Sequence, residues 1–256
     1  MSGRLLLLAA VALAGCPPQA APSALATAPT GKALAAACAG REGWSDSAPP
    51  AKIFGNSYYV GTCGISVVLI DTPAGLVLID AATEEAAPSI LANIRALGFD
   101  PKAVRFLLTS HEHLDHVGGL KALQDATGAQ VIARREAVAA LTSGEPDATD
   151  PQRGGIPPFR GVTVARTVLD GEMLKIEGLR LTAHATPGHT LGGTSWTWRS
   201  CEGGDCRAIA YVDSLSAVSA DGYRFTDHPA YVAVLRATIA KVPALPCDIL
   251  ITPHPS

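Results

Sequence analysis

The chain has 256 residues, 48% of them hydrophobic and only 5% aromatic, with a formal net charge of −3. That length allows one large domain or two small ones. No basic run of any length occurs, which argues against nucleic acid as a partner.

In chain order, Arg4 and the apolar run at 5–13 predict an export signal, too short to remain as a membrane-spanning helix. Leu13-Ala14-Gly15-Cys16 resembles a bacterial lipobox, in which Cys16 becomes the lipidated N-terminus; the alternative is an ordinary signal peptide cut within the Ala-rich stretch at 20–28. Either way the protein is expected in the periplasm, anchored to the membrane if Cys16 is lipidated. The six cysteines then sit in an oxidising compartment where pairing is expected. Residues 1–16 are read as the signal, the Ala/Pro/Thr-rich stretch 17–37 as a flexible tether, and 38–256 as one folded domain.

Within the domain, β-branched runs at 57–60, 65–70 and 75–80 predict strands, and 83–97 a helix with Ala87, Ile90, Leu91, Ile94 and Leu97 on one face. A strand at 103–108 leads into a polar turn and a helix at 117–127. A strand at 131–133, a helix at 134–141 and a long loop at 143–160 follow. Strands are then expected at 162–168, 178–184, 195–199, 207–212 and 247–252, with a short loop between Cys201 and Cys206 and a helix at 229–240. This alternation predicts an α/β fold of two βα halves stacked through their sheets, a four-layer αβ/βα sandwich with helices on both outer faces.

The polar turn carries the chemistry. HEHLDH at 111–116 places His111, His113, Asp115 and His116 within six residues, at the C-terminal end of a strand where α/β folds build sites. Imidazole and carboxylate suit zinc, and four donors on one tight turn cannot all serve one tetrahedral ion. Two zinc ions are expected, completed from the other four of the seven histidines. His189 and His254 each stand where a strand gives way to a Pro/Gly-flanked loop; His184 and His228 are read as structural. One ion takes His111, His113 and His189, the other Asp115, His116 and His254.

HEHLDH followed by Val-Gly-Gly resembles the H-x-H-x-D-H signature of the metallo-β-lactamase superfamily. Tyr58-Tyr-Val-Gly-Thr62, Thr186-Pro-Gly-His-Thr190, Val212-Asp-Ser-Leu-Ser216 and Thr252-Pro-His-Pro255 are similar to its third subclass, B3, over residues 38 to the end. The resemblance implies the metallo-β-lactamase fold and zinc-dependent hydrolysis of β-lactams (penicillins, cephalosporins, carbapenems), hence antibiotic resistance. The nucleophile it implies is a zinc-bound hydroxide, with Asp115 orienting it. It agrees with a cysteine-free second site, since Ser214 stands near the position where other subclasses carry a Cys. By the same resemblance Ser214 and Ser216 bind the substrate carboxylate or a zinc-linked water, or else are turn residues capping a strand. Gln152 reaches toward substrate, or else is a solvated loop residue. Cys38–Cys63 and Cys201–Cys206 are the implied disulfides. The family continues past the position of His254 with a helix that supplies a partner for Cys247; here the sequence ends at Ser256, so that helix is expected to be absent. A monomer acting on a small molecule is expected.

Two rivals remain. Glyoxalase-like thioesterases and lactonases share the signature and bridge both metals with an aspartate, for which Asp213 is placed. A zinc-binding scaffold without turnover is the other.

Overall fold

The computed structural model describes residues 29–255; the expected signal, Cys16 and most of the expected tether lie outside that range. The described part of the expected tether is helical. Residues 31–37 form helix α1 (Gly31–Ala37), whose first turn is capped by the Thr30 hydroxyl. Leu34 packs against the cluster of Ala48, Ala51, Tyr59 and Cys63, and the Cys38–Cys63 disulfide fastens the end of the helix to the domain. Among the described residues no helix is long and apolar enough to cross a membrane.

The first sheet has seven strands in sequence order: β1 (Ala51–Phe54), β2 (Ser57–Tyr59), β3 (Val68–Thr72), β4 (Gly75–Ile79), β5 (Val104–Leu108), β6 (Gln130–Arg134) and β7 (Val164–Val168). β1 to β4 form an antiparallel meander, and β4 to β7 run parallel. The parallel crossovers carry helices α2 (Ala87–Ala96), α3 (Leu114–Val117), α4 (Leu120–Thr127) and α5 (Val138–Ser143). The second sheet holds β8 (Met173–Ile176), β9 (Leu179–Ala185), β10 (Thr194–Glu202), β11 (Asp205–Tyr211) and β12 (Ile249–Ile251), in the order β12-β11-β10-β9-β8. Helix α6 (Pro229–Lys241) joins β11 to β12.

Strand periodicity sorts the core into two layers, because successive side chains point to opposite faces. Leu69, Leu76, Leu78, Leu107, Val131 and Ala133 face Ile90, Ile94, Leu97, Leu120 and Leu123 of the helices. Their alternates Val68, Ile70, Val77, Ile79, Leu108 and Ile132 face Leu179, Leu181, Ala183, Trp196, Trp198 and Ile209 of the second sheet. The fourth layer is α6, which rests on the turn after β9. Its Leu235 backbone closes on Gly188, where a Cβ would lie 2.6 Å from the Leu235 Cα. Thr238 donates to the Pro187 carbonyl at 2.5 Å, and Lys241 reaches Asp170 at 2.7 Å. The expected αβ/βα sandwich is the fold observed.

Several elements differ from expectation for local reasons. The helix expected at 117–127 is two, broken at Gly118-Gly119. Gly119 donates to the Ala82 carbonyl at 2.9 Å, and a Cβ on it would fall 2.2 Å from the Ala81 carbonyl oxygen. The loop expected at 201–206 is a hairpin whose turn is Gly203-Gly204 alone, both with positive φ, the geometry that matches strand twist. Cys201 and Cys206 therefore pair across two strands, and their disulfide is formed. β1 and β8 escape the sequence because each is short and carries a lysine (Lys52, Lys175). Cys247 is free and exposed.

Trp196 is fully buried between the sheets and donates from Nε1 to the Thr109 carbonyl at 2.9 Å, at the mouth of the polar turn. Trp196→Ala is expected to lower unfolding stability by ~3–5 kcal/mol, read as a lower urea midpoint at an unchanged slope.

Candidate metal centre

β5 ends at Leu108, and the chain runs on through Thr109 to His113 before α3 begins. His111 and His113 point to the same side, Glu112 away from it. Asp115 and His116 follow in the first turn of α3. All five are buried, His116 completely.

Two groups of donor atoms result. His111, His113 and His189 place their donors within 4.8 Å of one another, and His113 Nδ1 lies 3.2 Å from His189 Nε2. Asp115, His116 and His254 form the second. Asp115 Oδ2 is 3.2 Å from His116 Nε2 and 3.4 Å from His254 Nε2, and the two imidazole nitrogens are 3.3 Å apart. His111 is shared in space, because its donor also lies within 4.8 Å of those of Asp115 and His116. Its Nε2 is buried and has no hydrogen-bond partner, which costs free energy unless something binds there.

The far nitrogen of every one of these imidazoles is held by oxygen. His111 Nδ1 meets Asp213 Oδ1 at 2.8 Å, His113 Nε2 meets Asp150 Oδ2 at 2.9 Å, and His116 Nδ1 meets Asp80 Oδ2 at 3.1 Å. His189 Nδ1 donates to the Ser216 carbonyl at 3.0 Å and His254 Nδ1 to the Gly64 carbonyl at 3.2 Å. Metal-binding histidines are oriented this way. The donor set, one carboxylate and five imidazoles in two groups of three, fits two four-coordinate ions that each keep an open position.

The sequence description "Metallo-beta-lactamase superfamily" matches residues 60–197. The chain belongs to this superfamily. Among solved metallo-β-lactamases, MIM-1 from Novosphingobium pentaromativorans is 52% identical, with a TM-score of 0.85 over 88% of this chain and 84% of that one. SMB-1 bound to 2-mercaptoethanesulfonate is 49% identical, with a TM-score of 0.81 over 83% and 82%. MEM-A1, a subclass B3 enzyme from a soil metagenome library, is 47% identical, with a TM-score of 0.81 over 83% and 82%. The subclass is B3. Curated relatives are more distant. Hydroxyacylglutathione hydrolases of Rhodopseudomonas palustris and Brucella anthropi are 27% and 31% identical over 132 and 143 residues, and the matched regions span 42% and 44% of those proteins.

In this metallo-β-lactamase the electrostatics follow from burial. Desolvation, reinforced by His116 and the other imidazoles, holds His111 well below its usual range. His189 is lowered to about 4, chiefly by burial. Burial opposes ionisation of Asp115, but His116 and His254 outweigh it and keep the carboxyl well below the usual range. For His116, burial is outweighed by Asp115 and Asp80, and its pKa rises to about 10.

Gln152 is brought to the first group: its Nε2 lies 3.3 Å from His189 Nε2 and 3.5 Å from His113 Nδ1. The Ser216 hydroxyl is 3.2 Å from His189 Nδ1, behind the imidazole. Ser214 is half-buried, next in the chain to Asp213. Asp213 is not brought into either group; it grips the outer nitrogen of His111, which removes the ground for a bridging role. His184 bonds Thr197 Oγ1 at 2.8 Å, and His228 stacks on Tyr223. Both lie outside the two groups.

The reading from sequence missed Asp80 and Asp150. Asp80 follows β4 with φ at +65°, a conformation few non-glycine residues adopt, and it is fully buried. It also accepts from Ser110 N at 2.6 Å, Ser110 Oγ at 2.7 Å and Tyr211 at 2.6 Å. Its signal was an acid closing an apolar run. Asp150, within an unpatterned loop, gave none.

Asp80→Ala is expected to weaken metal binding at the Asp115/His116/His254 group by ~10–100-fold, measured by competition with a chelator. A second expectation follows from His116. Its proton is held below pH 10 or so and must leave before a metal binds. Titrating the metal-free protein with zinc at pH 8 in unbuffered solution should release a proton, and affinity should fall as pH falls.

Proposed function

We propose that this chain hydrolyses the amide bond of β-lactams (penicillins, cephalosporins and carbapenems) with two zinc ions, and so protects a bacterium from these antibiotics. The observation that carries the reading is the double group of donors, five imidazoles and Asp115, with each outer nitrogen held by oxygen. Membership of subclass B3 supports the substrate class. Zinc, when bound, supplies Lewis acidity and makes water nucleophilic near neutral pH.

The chain's own residues do the rest. His111, His113 and His189 hold one ion; Asp115, His116 and His254 hold the other. Asp115, kept ionised by its two imidazole neighbours, accepts a hydrogen bond from the attacking water and so orients it. Gln152, within reach of His113 and His189, contacts the substrate at the first ion. Ser214 receives the substrate carboxylate. Ser216 contributes chiefly through its carbonyl, which fixes His189.

We read residues 1–16 as an export signal ahead of a single catalytic domain. The site of action is the periplasm, with Cys16 a candidate lipid anchor, and the enzyme works as a monomer.

Purified protein should hydrolyse nitrocefin and a carbapenem, lose that activity to EDTA, and regain it with zinc. His111→Ala should fall to the chelated level. The same preparations assayed on a thioester and a lactone decide against the rival: turnover of those esters with no lactam hydrolysis would sink the β-lactamase reading.

A further inference from the structure

The HEHLDH turn contains one buried acid that binds no metal in the reading above. Glu112 is 1% exposed. The two imidazoles turn to one side, where their donors meet, and Glu112 turns to the other. On that side its carboxylate accepts from the Thr190 hydroxyl at 2.8 Å and from Gly192 N at 2.9 Å. The approach is close enough that a Cβ on Gly192 would fall 2.4 Å from Glu112 Oε2.

A second buried charge grips the same segment. Arg134, at the end of β6 and 8% exposed, donates from Nη1 to the Gly193 carbonyl at 3.0 Å and to the Leu191 carbonyl at 3.5 Å. The acid thus takes the donors of residues 190 and 192, and the guanidinium takes the acceptors of 191 and 193. The segment begins one residue after His189. Gly188 N donates to the Thr190 carbonyl at 2.8 Å and closes a tight turn around that histidine.

We propose that Glu112 and Arg134 are positioning residues, which clamp residues 190–193 of the second half of the chain so that His189 meets His111 and His113. The proposal rests on the zinc-ligand reading above. His111 and His113 flank Glu112 in sequence, so one turn delivers two ligands on one side and anchors the third from the other. Buried charges cost free energy unless they are hydrogen-bonded. Both groups are hydrogen-bonded here, and every one of the bonds given above goes to the segment that follows His189.

Zinc binding to the intact protein tests this without reference to turnover. Stepwise zinc affinities are measured with a competing chelator for the wild type, Glu112→Ala, Glu112→Gln, His189→Ala and His254→Ala, alongside melting temperatures. Glu112→Ala should weaken by ~10–100-fold the same step that His189→Ala abolishes, and leave intact the step that His254→Ala abolishes. Glu112→Gln, which keeps one acceptor and can donate to the Thr190 oxygen, should restore most of the loss. If Glu112→Ala gives no cooperative melting, Thr190→Val and Arg134→Met carry the same comparison. Equal weakening of both steps, or no weakening, overturns the clamp. Wild type that takes up no zinc overturns the ligand reading along with it; wild type loading two ions while Glu112→Ala matches it overturns the clamp alone.

Discussion

Five imidazoles packed together, four of them buried, impose the constraint on which this structure depends. Each ring has two nitrogens, and neither can be left without a partner at low cost. The inner nitrogens face one another in the two donor groups, so the outer ones must be satisfied by the rest of the protein. Asp213, Asp150, Asp80 and the carbonyls of Ser216 and Gly64 meet that need. These oxygens come from the residue after β4, from two loops and from the segment after β11, which explains why the site draws on nearly the whole domain.

The two sheets meet at this shell as well as in the apolar core. Tyr211, on β11 of the second sheet, donates to Asp80 of the first and to the Ser66 carbonyl at 3.1 Å. Trp196 does the same for Thr109. Thr194 N reaches the Ser110 carbonyl at 2.7 Å, so the first residue of β10 is stitched to the metal turn itself. The hydrophobic layer sets how far apart the halves stand. These polar stitches fix how they slide, and ligands drawn from both halves need that second restraint to coincide.

Much of this was legible in the sequence. Periodicity gave the long strands and the amphipathic α2, and HEHLDH with His189 and His254 gave all six donor side chains that the fold gathers. What escaped depends on distance in three dimensions. Asp150 lies in a loop with no pattern, and only folding brings it to His113. Asp213 was visible, but its role turned on which side of His111 it would occupy. Glu112 stood inside the motif and was passed over, because a signature marks the residues on one side of a turn and is silent about the other. Residues 31–37 were read from composition as tether, whereas Leu34 and the Cys38 disulfide draw them onto the domain.

The oxygen acceptors around the imidazoles also choose where each proton resides before any metal arrives. An outer nitrogen facing a carboxylate or carbonyl must carry hydrogen. That selects the Nδ1–H tautomer for His111, His189 and His254, requires hydrogen on Nδ1 of His116, and selects the Nε2–H tautomer for His113. His113 therefore offers its inner lone pair from the nitrogen nearer its own backbone, and its ring reaches less far than that of His111 two residues earlier. Two neighbours on one turn can then converge on one point without competing for the same space. In a nitrogen-detected magnetic resonance spectrum of the metal-free protein His113 would stand apart from His111, His189 and His254, a reporter of the first group supplied by the fold.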